Sequence, residues 1–254
     1  MEIFTQEGFP HFVRALHVLA GIAWIGLLYY FNLVQVPAFA AFGDEGKARN
    51  IAIDKVARRA LWWFRWASIV TLVLGLLIIG VTKDYMQDFM SDLETNDIGH
   101  DAAIFVGMLL GITMAANVWM VIWKNQRTVL ANAANVLAGG EADANAPAAG
   151  RRALLASRQN MIFSFSMLWF MVGAAHIYGS GGFSENVSSG NAWTFVIISV
   201  VLGVILELNC LGKLGGTAAT NKLLWPYESH KNAMITGGVL FVVLYLLSEI
   251  LLKA

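Results

Sequence analysis

The segment RALHVLAGIAWIGLLYYFN, residues 14 to 32, is apolar and long enough to cross a bilayer, yet it carries Arg14 and His17 near one end. Ionisable side chains are costly inside a membrane, so their presence there points to function. His17, Gly21 and Trp24 follow at intervals of four and then three residues, which sets them on one helical face. Small residues beside the imidazole leave room for a flat, bulky group, and imidazole is a common axial ligand of haem iron. The pattern points to a haem b held by His17. His176 is the second candidate ligand. It follows the small run Gly173-Ala174-Ala175, with Trp169 and Phe165 on neighbouring faces. Two imidazoles from facing helices would give a six-coordinate haem suited to electron transfer, whereas one imidazole and an open position would allow oxygen chemistry.

Three further basic residues bear on this site. Arg14 lies one turn nearer the surface than His17, where a guanidinium can pair with a haem propionate. Its plainer alternative is to snorkel to lipid headgroups. His100, in the polar stretch IGHD, has Gly107 and Gly111 near its helical face, and its alternative is a solvated loop histidine. His11 is six residues from His17, an offset of about 240° that keeps the two out of one ligand plane. A neutral histidine bonded to a neighbouring helix is the alternative for His17 itself. The candidate cofactor site is thus His17, His176, Arg14, His100, Trp24 and Gly21, with His17 and His176 as the metal ligands.

The elements that position these residues follow from composition. The chain has 254 residues, of which 57% are hydrophobic and 13% charged, and its mean hydropathy is +0.62. Such a chain is integral to a membrane. It reads as an all-α, polytopic bundle of about six spans, near 12–40, 61–81, 101–123, 160–178, 191–211 and 233–251, forming one integral membrane domain over residues 1–254. Pro37 is expected to end or kink the first span. The stretch ANAANVLAGGEADANAPAAGRR reads as a surface loop whose first part could prolong the third helix. The N-terminus lacks the features of a cleaved signal peptide, so the first span is expected to be retained.

Lys plus Arg equal Asp plus Glu at 17 each, so no attraction to nucleic acid is expected. Cys210 is the single cysteine, which excludes internal disulfides and a CxxCH attachment site, so any haem is held by ligation alone. Fourteen of the 17 Lys and Arg residues fall on the loops after spans one, three and five or their flanks. The positive-inside rule then places both termini, and the acidic loop KDYMQDFMSDLETNDIGHD, on the outer side, the periplasm of a bacterial inner membrane. His11, His17, His100 and His176 all gather toward that outer face. His230, in PYESHKN, is left on the cytoplasmic side as an interfacial residue.

Other polar groups have less specific readings. Asn32 and Asn117 lie in the inner halves of their spans and could bond across helices. Gly107 and Gly111 form a GxxxG, which marks close helix packing more often than a cofactor. Glu207 near the inner end of span five could carry protons or simply sit at the interface. Trp62, Trp63 and Trp66 fit an aromatic belt. The ten methionines are scattered at core-like spacing, so thioether copper binding is not compelling.

Three blocks, LHVLAGIAWIGLLYYFNLVQVPAF, GMLLGITMAANVWMVIWKNQRTVL and SRQNMIFSFSMLWFMVGAAHI, resemble the membrane domain of the bacterial membrane-bound urate hydroxylases, the "urate oxidase N-terminal" family. They cover much of spans one, three and four in the right order. The first block alone is less specific, because a similar His-to-Trp-Gly pattern opens the HemJ-type protoporphyrinogen oxidases and the CopD copper-resistance proteins. The resemblance implies a membrane oxidoreductase that converts urate to 5-hydroxyisourate and passes electrons to cytochrome c. Fused members carry a C-terminal cytochrome c domain. This sequence stops at LLKA after span six and has no CxxCH, so the expected partner is a separate periplasmic cytochrome c or another acceptor. Other membrane subunits or further copies of the chain are possible companions within the lipid bilayer. The competing readings are a non-catalytic accessory subunit of a larger membrane complex and a CopD-like metal-handling protein.

Overall fold

The structure is a computed structural model that describes residues 2–5, 8–82, 98–178 and 187–253. Most of the acidic loop before span three lies outside these residues. The protein is 86% helical, with no strand among the described residues. Six helices are long and apolar enough to cross a membrane: α1 (Gly8–Ala40), α2 (Gly46–Val81), α3 (Ile98–Leu137), α4 (Ala146–Tyr178), α5 (Ser189–Cys210) and α6 (His230–Leu251). In lipid each backbone amide must be satisfied within its own helix, which is why apolar runs of this length fold this way.

The contacts fix the directions. His17 of α1 meets Thr71 of α2, and Phe31 meets Phe64, so these two helices are antiparallel. Tyr29 of α1 meets Ser164 of α4, and Asn32 meets Ser157, again antiparallel. Phe165 lies by Gly237 and Tyr178 by Ser248, so α4 and α6 run parallel. Helices α1, α3 and α5 therefore run one way and α2, α4 and α6 the other, which puts Gly8 and Leu251 at the same end. That end is called the termini side below.

Helix α4 is the hub. In its most apolar window 56% of residues are buried, against 22–39% for the other five helices. Close approach to its neighbours relies on missing side chains. A Cβ at Gly107 of α3 would stand 3.1 Å from the Met171 backbone nitrogen, and one at Gly237 of α6 would stand 3.2 Å from the Ile162 Cα and 2.9 Å from Phe165. Gly107 thus has the packing role read from its GxxxG spacing. Gly237→Ala inserts a methyl group where backbone and ring already touch, and such overpacking costs about 1–3 kcal/mol. A lowered thermal unfolding midpoint in detergent is the expected readout.

One expectation about boundaries changes in part. Of the stretch read as a surface loop, the first part prolongs the third helix as expected, residues 138–145 form the loop, and the last part is helical. Helix α3 runs on to Leu137, and α4 begins at Ala146 with Pro147 in its first turn, where a missing N–H costs nothing. Ala133, Ala149 and Ala153 are buried there, so the alanines that suggested a loop are the small residues that let these extensions pack. Pro37 lies near the end of α1, as expected of the first span. A π turn over Tyr30–Gln35 precedes it, and the helix continues to Ala40. The proline ring crowds the carbonyl four residues earlier, and the wider π turn takes up that crowding. Each of α2, α3 and α4 also contains a π turn, at Ile53–Ala57, Asn117–Ile122 and Ala174–Tyr178.

Candidate functional site

Helix α1 turns His17 and Gly21 toward α2. His17 Nδ1 lies 2.8 Å from the Thr71 carbonyl oxygen. A carbonyl can only accept, so Nδ1 carries the proton and Nε2 is left with its lone pair. This is the arrangement that orients a metal-ligating histidine and fixes its tautomer. The imidazole reaches a helical carbonyl because Gly75, one turn further along α2, has no side chain. A Cβ there would stand 3.1 Å from His17 Cε1 and 3.4 Å from Nδ1. Gly21 is close to the same helix, its Cβ position 3.9 Å from Thr71 Cγ2. Part of the room beside His17 is therefore taken up by α2. Trp24 is buried, and its indole N–H has no partner.

Both candidate ligands lie toward the termini side. Tyr29 Oη and Ser164 Oγ are 2.9 Å apart, which levels α1 with α4 at that point. His17 is twelve residues from Tyr29 toward the termini side, and His176 is twelve residues from Ser164 in the same direction. Each is thus about 18 Å along its helix from the shared contact. His176 is exposed and sits in the π turn that ends α4, a type of irregularity frequent at functional sites. His100 is in the first turn of α3, with Nδ1 2.9 Å from Asp101 Oδ1. Arg14 and His11 are exposed. The structure thus brings His17 and Gly21 together against α2, buries Trp24, and places His100 and His176 on α3 and α4 toward the same end. Among the described residues, no group of three or more His, Cys, Asp or Glu side chains could hold a metal ion. A haem needs one or two axial ligands, and His17 with its fixed tautomer fits that requirement.

The opposite end of the bundle holds a polar cluster centred on four consecutive residues of α4, Ser157, Arg158, Gln159 and Asn160, all buried. Successive residues on a helix point about 100° apart, so these four address different neighbours. Ser157 Oγ accepts from Asn32 Nδ2 of α1 at 2.9 Å. Arg158 Nη1 donates to the Tyr227 carbonyl at 2.5 Å. Asn160 Oδ1 accepts from Asn117 Nδ2 of α3 at 3.0 Å, and its own Nδ2 donates to the Met114 carbonyl at 2.9 Å. Asn117 Nδ2 also donates to Glu207 Oε2 of α5 at 3.0 Å. Asn32 and Asn117 do bond across helices, as their positions suggested. Tyr227 donates to the Leu206 carbonyl at 2.9 Å, and burial raises its pKa, so it remains a neutral donor. Replacing Asn117 by Leu strands both Asn160 and Glu207, an expected loss of about 1–3 kcal/mol, to be read from the unfolding midpoint.

Gly75, Thr71 and Gln159 were not singled out from the sequence. A glycine in the apolar run LVLGLL carries no mark of the imidazole it admits. Four adjacent polar residues leading into an apolar run, SRQN, were a usable signal, but the first three fell just outside the expected span.

Residues 94–210 match the family model described as urate oxidase N-terminal. The matched stretch contains His100, His176, Gln159 and Glu207, and His17 on α1 lies outside it. No curated protein and no solved structure matches the chain. Through helices α3, α4 and α5, the chain is similar to the urate oxidase N-terminal family.

Proposed function

We propose that this membrane protein is a haem b oxidoreductase that oxidises urate and delivers the electrons to a separate cytochrome c on the termini side. The observation that carries the reading is the hydrogen bond from His17 Nδ1 to the Thr71 carbonyl, which leaves Nε2 as a ready ligand on the side of the bundle that also holds His176. When bound, the haem would supply a one-electron carrier between substrate and acceptor. The chain's own contribution is to hold and orient. Thr71 fixes the imidazole, Gly75 admits it to the helix backbone, and the indole N–H of Trp24 is an unused donor seven residues further along α1. Charge asymmetry supports placing the termini side in the periplasm of a bacterial inner membrane. Similarity of residues 94–210 to the urate oxidase N-terminal family supports urate as the substrate class.

Conversion of urate and water to 5-hydroxyisourate releases two electrons and two protons. Purified protein in nanodiscs should therefore consume urate and reduce two molecules of added cytochrome c for each urate lost. Absence of urate loss with cytochrome c and with artificial one-electron acceptors would overturn the urate assignment.

A further inference from the structure

Arg65 interrupts the apolar run of α2 that begins at Ala60, at the end of the bundle away from the termini side. An intramembrane guanidinium ordinarily finds a counter-charge. Among the described residues Arg65 forms no ion pair with a carboxylate. It lies across indoles instead. Its Cζ is 3.7 Å from the Trp123 ring centroid, 5.5 Å from that of Trp119 and 5.9 Å from that of Trp66. Nε and Nη1 are enclosed without a hydrogen-bond partner, and so is the Trp119 indole N–H. The cluster thus holds donors and no acceptor. Ring faces attract the cation but do not neutralise it. Arg65 is partly exposed, and Nη2 is the guanidinium nitrogen that is not enclosed, so a counter-ion can reach it there.

The surroundings select the anion. Arg58 Nη2 donates to the Leu130 carbonyl at 3.2 Å. These two residues stand seven positions from Arg65 and Trp123, so α2 and α3 lie antiparallel in this register. Exposed Arg59 on α2 and exposed Lys124 and Arg127 on α3 therefore fall within two turns of the Arg65 level. Asp54, the acid of this part of α2, is already bonded to Lys55 and Arg58. So cationic a rim disfavours a headgroup that carries its own ammonium. Trp62, Trp63 and Trp66 are exposed beside the guanidinium, and indoles of this kind sit at the level of lipid headgroups. A free anion gains nothing from those rings, whereas a phospholipid brings a phosphate and apolar chains in one molecule.

We propose that Arg65, held between α2 and α3 by Trp66, Trp119 and Trp123, binds the headgroup phosphate of an anionic phospholipid. Nη2 donates a charge-assisted hydrogen bond to a phosphate oxygen, and the acyl chains lie against Trp62 and Trp63. Basic pockets between membrane helices hold anionic headgroups in this way. The indoles fix the guanidinium in place, so little side-chain freedom is lost when the lipid arrives. The site is at the opposite end of the bundle from His17 and His176 and does not depend on a haem.

The test is native mass spectrometry of the full chain, delipidated in neutral detergent and titrated with phosphatidylglycerol or with phosphatidylethanolamine of the same acyl chains. A photoreactive phosphatidylglycerol locates the contact. Wild-type protein should prefer phosphatidylglycerol, and labelling should fall within residues 58–66 or 119–127. Arg65→Gln should weaken phosphatidylglycerol binding about tenfold, the loss of one hydrogen bond to a charged group, and leave phosphatidylethanolamine binding unchanged. Arg152→Gln, which removes an exposed cation on α4, should alter neither. If Arg65→Gln does not fold, the lipid preference and the labelled residues of the wild type decide. Equal affinity for the two lipids, unchanged phosphatidylglycerol binding in Arg65→Gln, labelling confined to other helices, or displacement of the lipid by an equal concentration of inorganic phosphate would each overturn the proposal. The readout is lipid binding without urate or haem, so failure here is distinct from failure of the proposed oxidoreductase activity.

Discussion

His17→Ala is expected to remove the haem from the protein while leaving the bundle folded. The imidazole makes one hydrogen bond to the chain, to the Thr71 carbonyl. That carbonyl lies inside α2, where the helix supplies its regular backbone partner, so losing the histidine strands no buried acceptor. A structural histidine of this kind contributes about 0.5–1.5 kcal/mol. A sole or paired axial ligand contributes the iron–nitrogen bond itself, and its loss should take haem content to near zero. Haem per protein, measured against the unfolding midpoint, separates the two roles. A variant that keeps full haem would show that His17 only packs against α2. His176→Ala, made alongside, asks whether this residue toward the same end supplies the second imidazole. Loss of the low-spin spectrum with retention of some haem would identify it as the weaker of two ligands.

Gly75→Val is expected to have the next largest effect, although residue 75 would not touch the haem. A Cβ at this position already stands 3.1 Å from His17 Cε1, and the two methyl groups of valine extend further into the ring. The imidazole must turn away from α2 and give up the Thr71 carbonyl. Partners of this kind fix tautomer and orientation, and removing one typically costs 10–100-fold in metal affinity. Haem should therefore be retained on purification at high protein concentration and lost on dilution or on competition with apomyoglobin. Gly75→Ala, one carbon larger than glycine, should fall between wild type and valine. If Gly75→Val holds haem as tightly as wild type, the Thr71 bond has no part in ligation.

Much of this arrangement is legible without coordinates, and the reasons differ by residue. His17, Asn32 and Asn117 stand out because each is a polar side chain in an otherwise apolar run, where the bilayer makes an idle polar group expensive. The six spans follow from the same solvent argument. Gly75 is invisible in sequence because a glycine in a membrane helix is commonplace, and only the ring packed against it gives it meaning. Gln159 went unnoticed because span four was expected to start one residue later, at 160. The extension of α3 and α4 beyond the apolar runs brings all of Ser157 to Asn160 into the interior. Of the stretch 131–152, the first part prolongs α3 as expected and 138–145 form a loop, but the last part is helical for a related reason. Alanine, asparagine and glycine suit loops, but alanine is also the strongest helix former and the smallest side chain for close packing. Composition alone does not separate those two uses.

The optical spectrum of the purified protein tests the central claim most directly. A membrane haem b held by imidazole predicts a Soret band and, on reduction with dithionite, an α-band near roughly 560 nm, with at least one haem for each chain. Protein purified from cells with ample haem that shows no Soret absorbance, and takes up none when titrated with haemin, would contradict it.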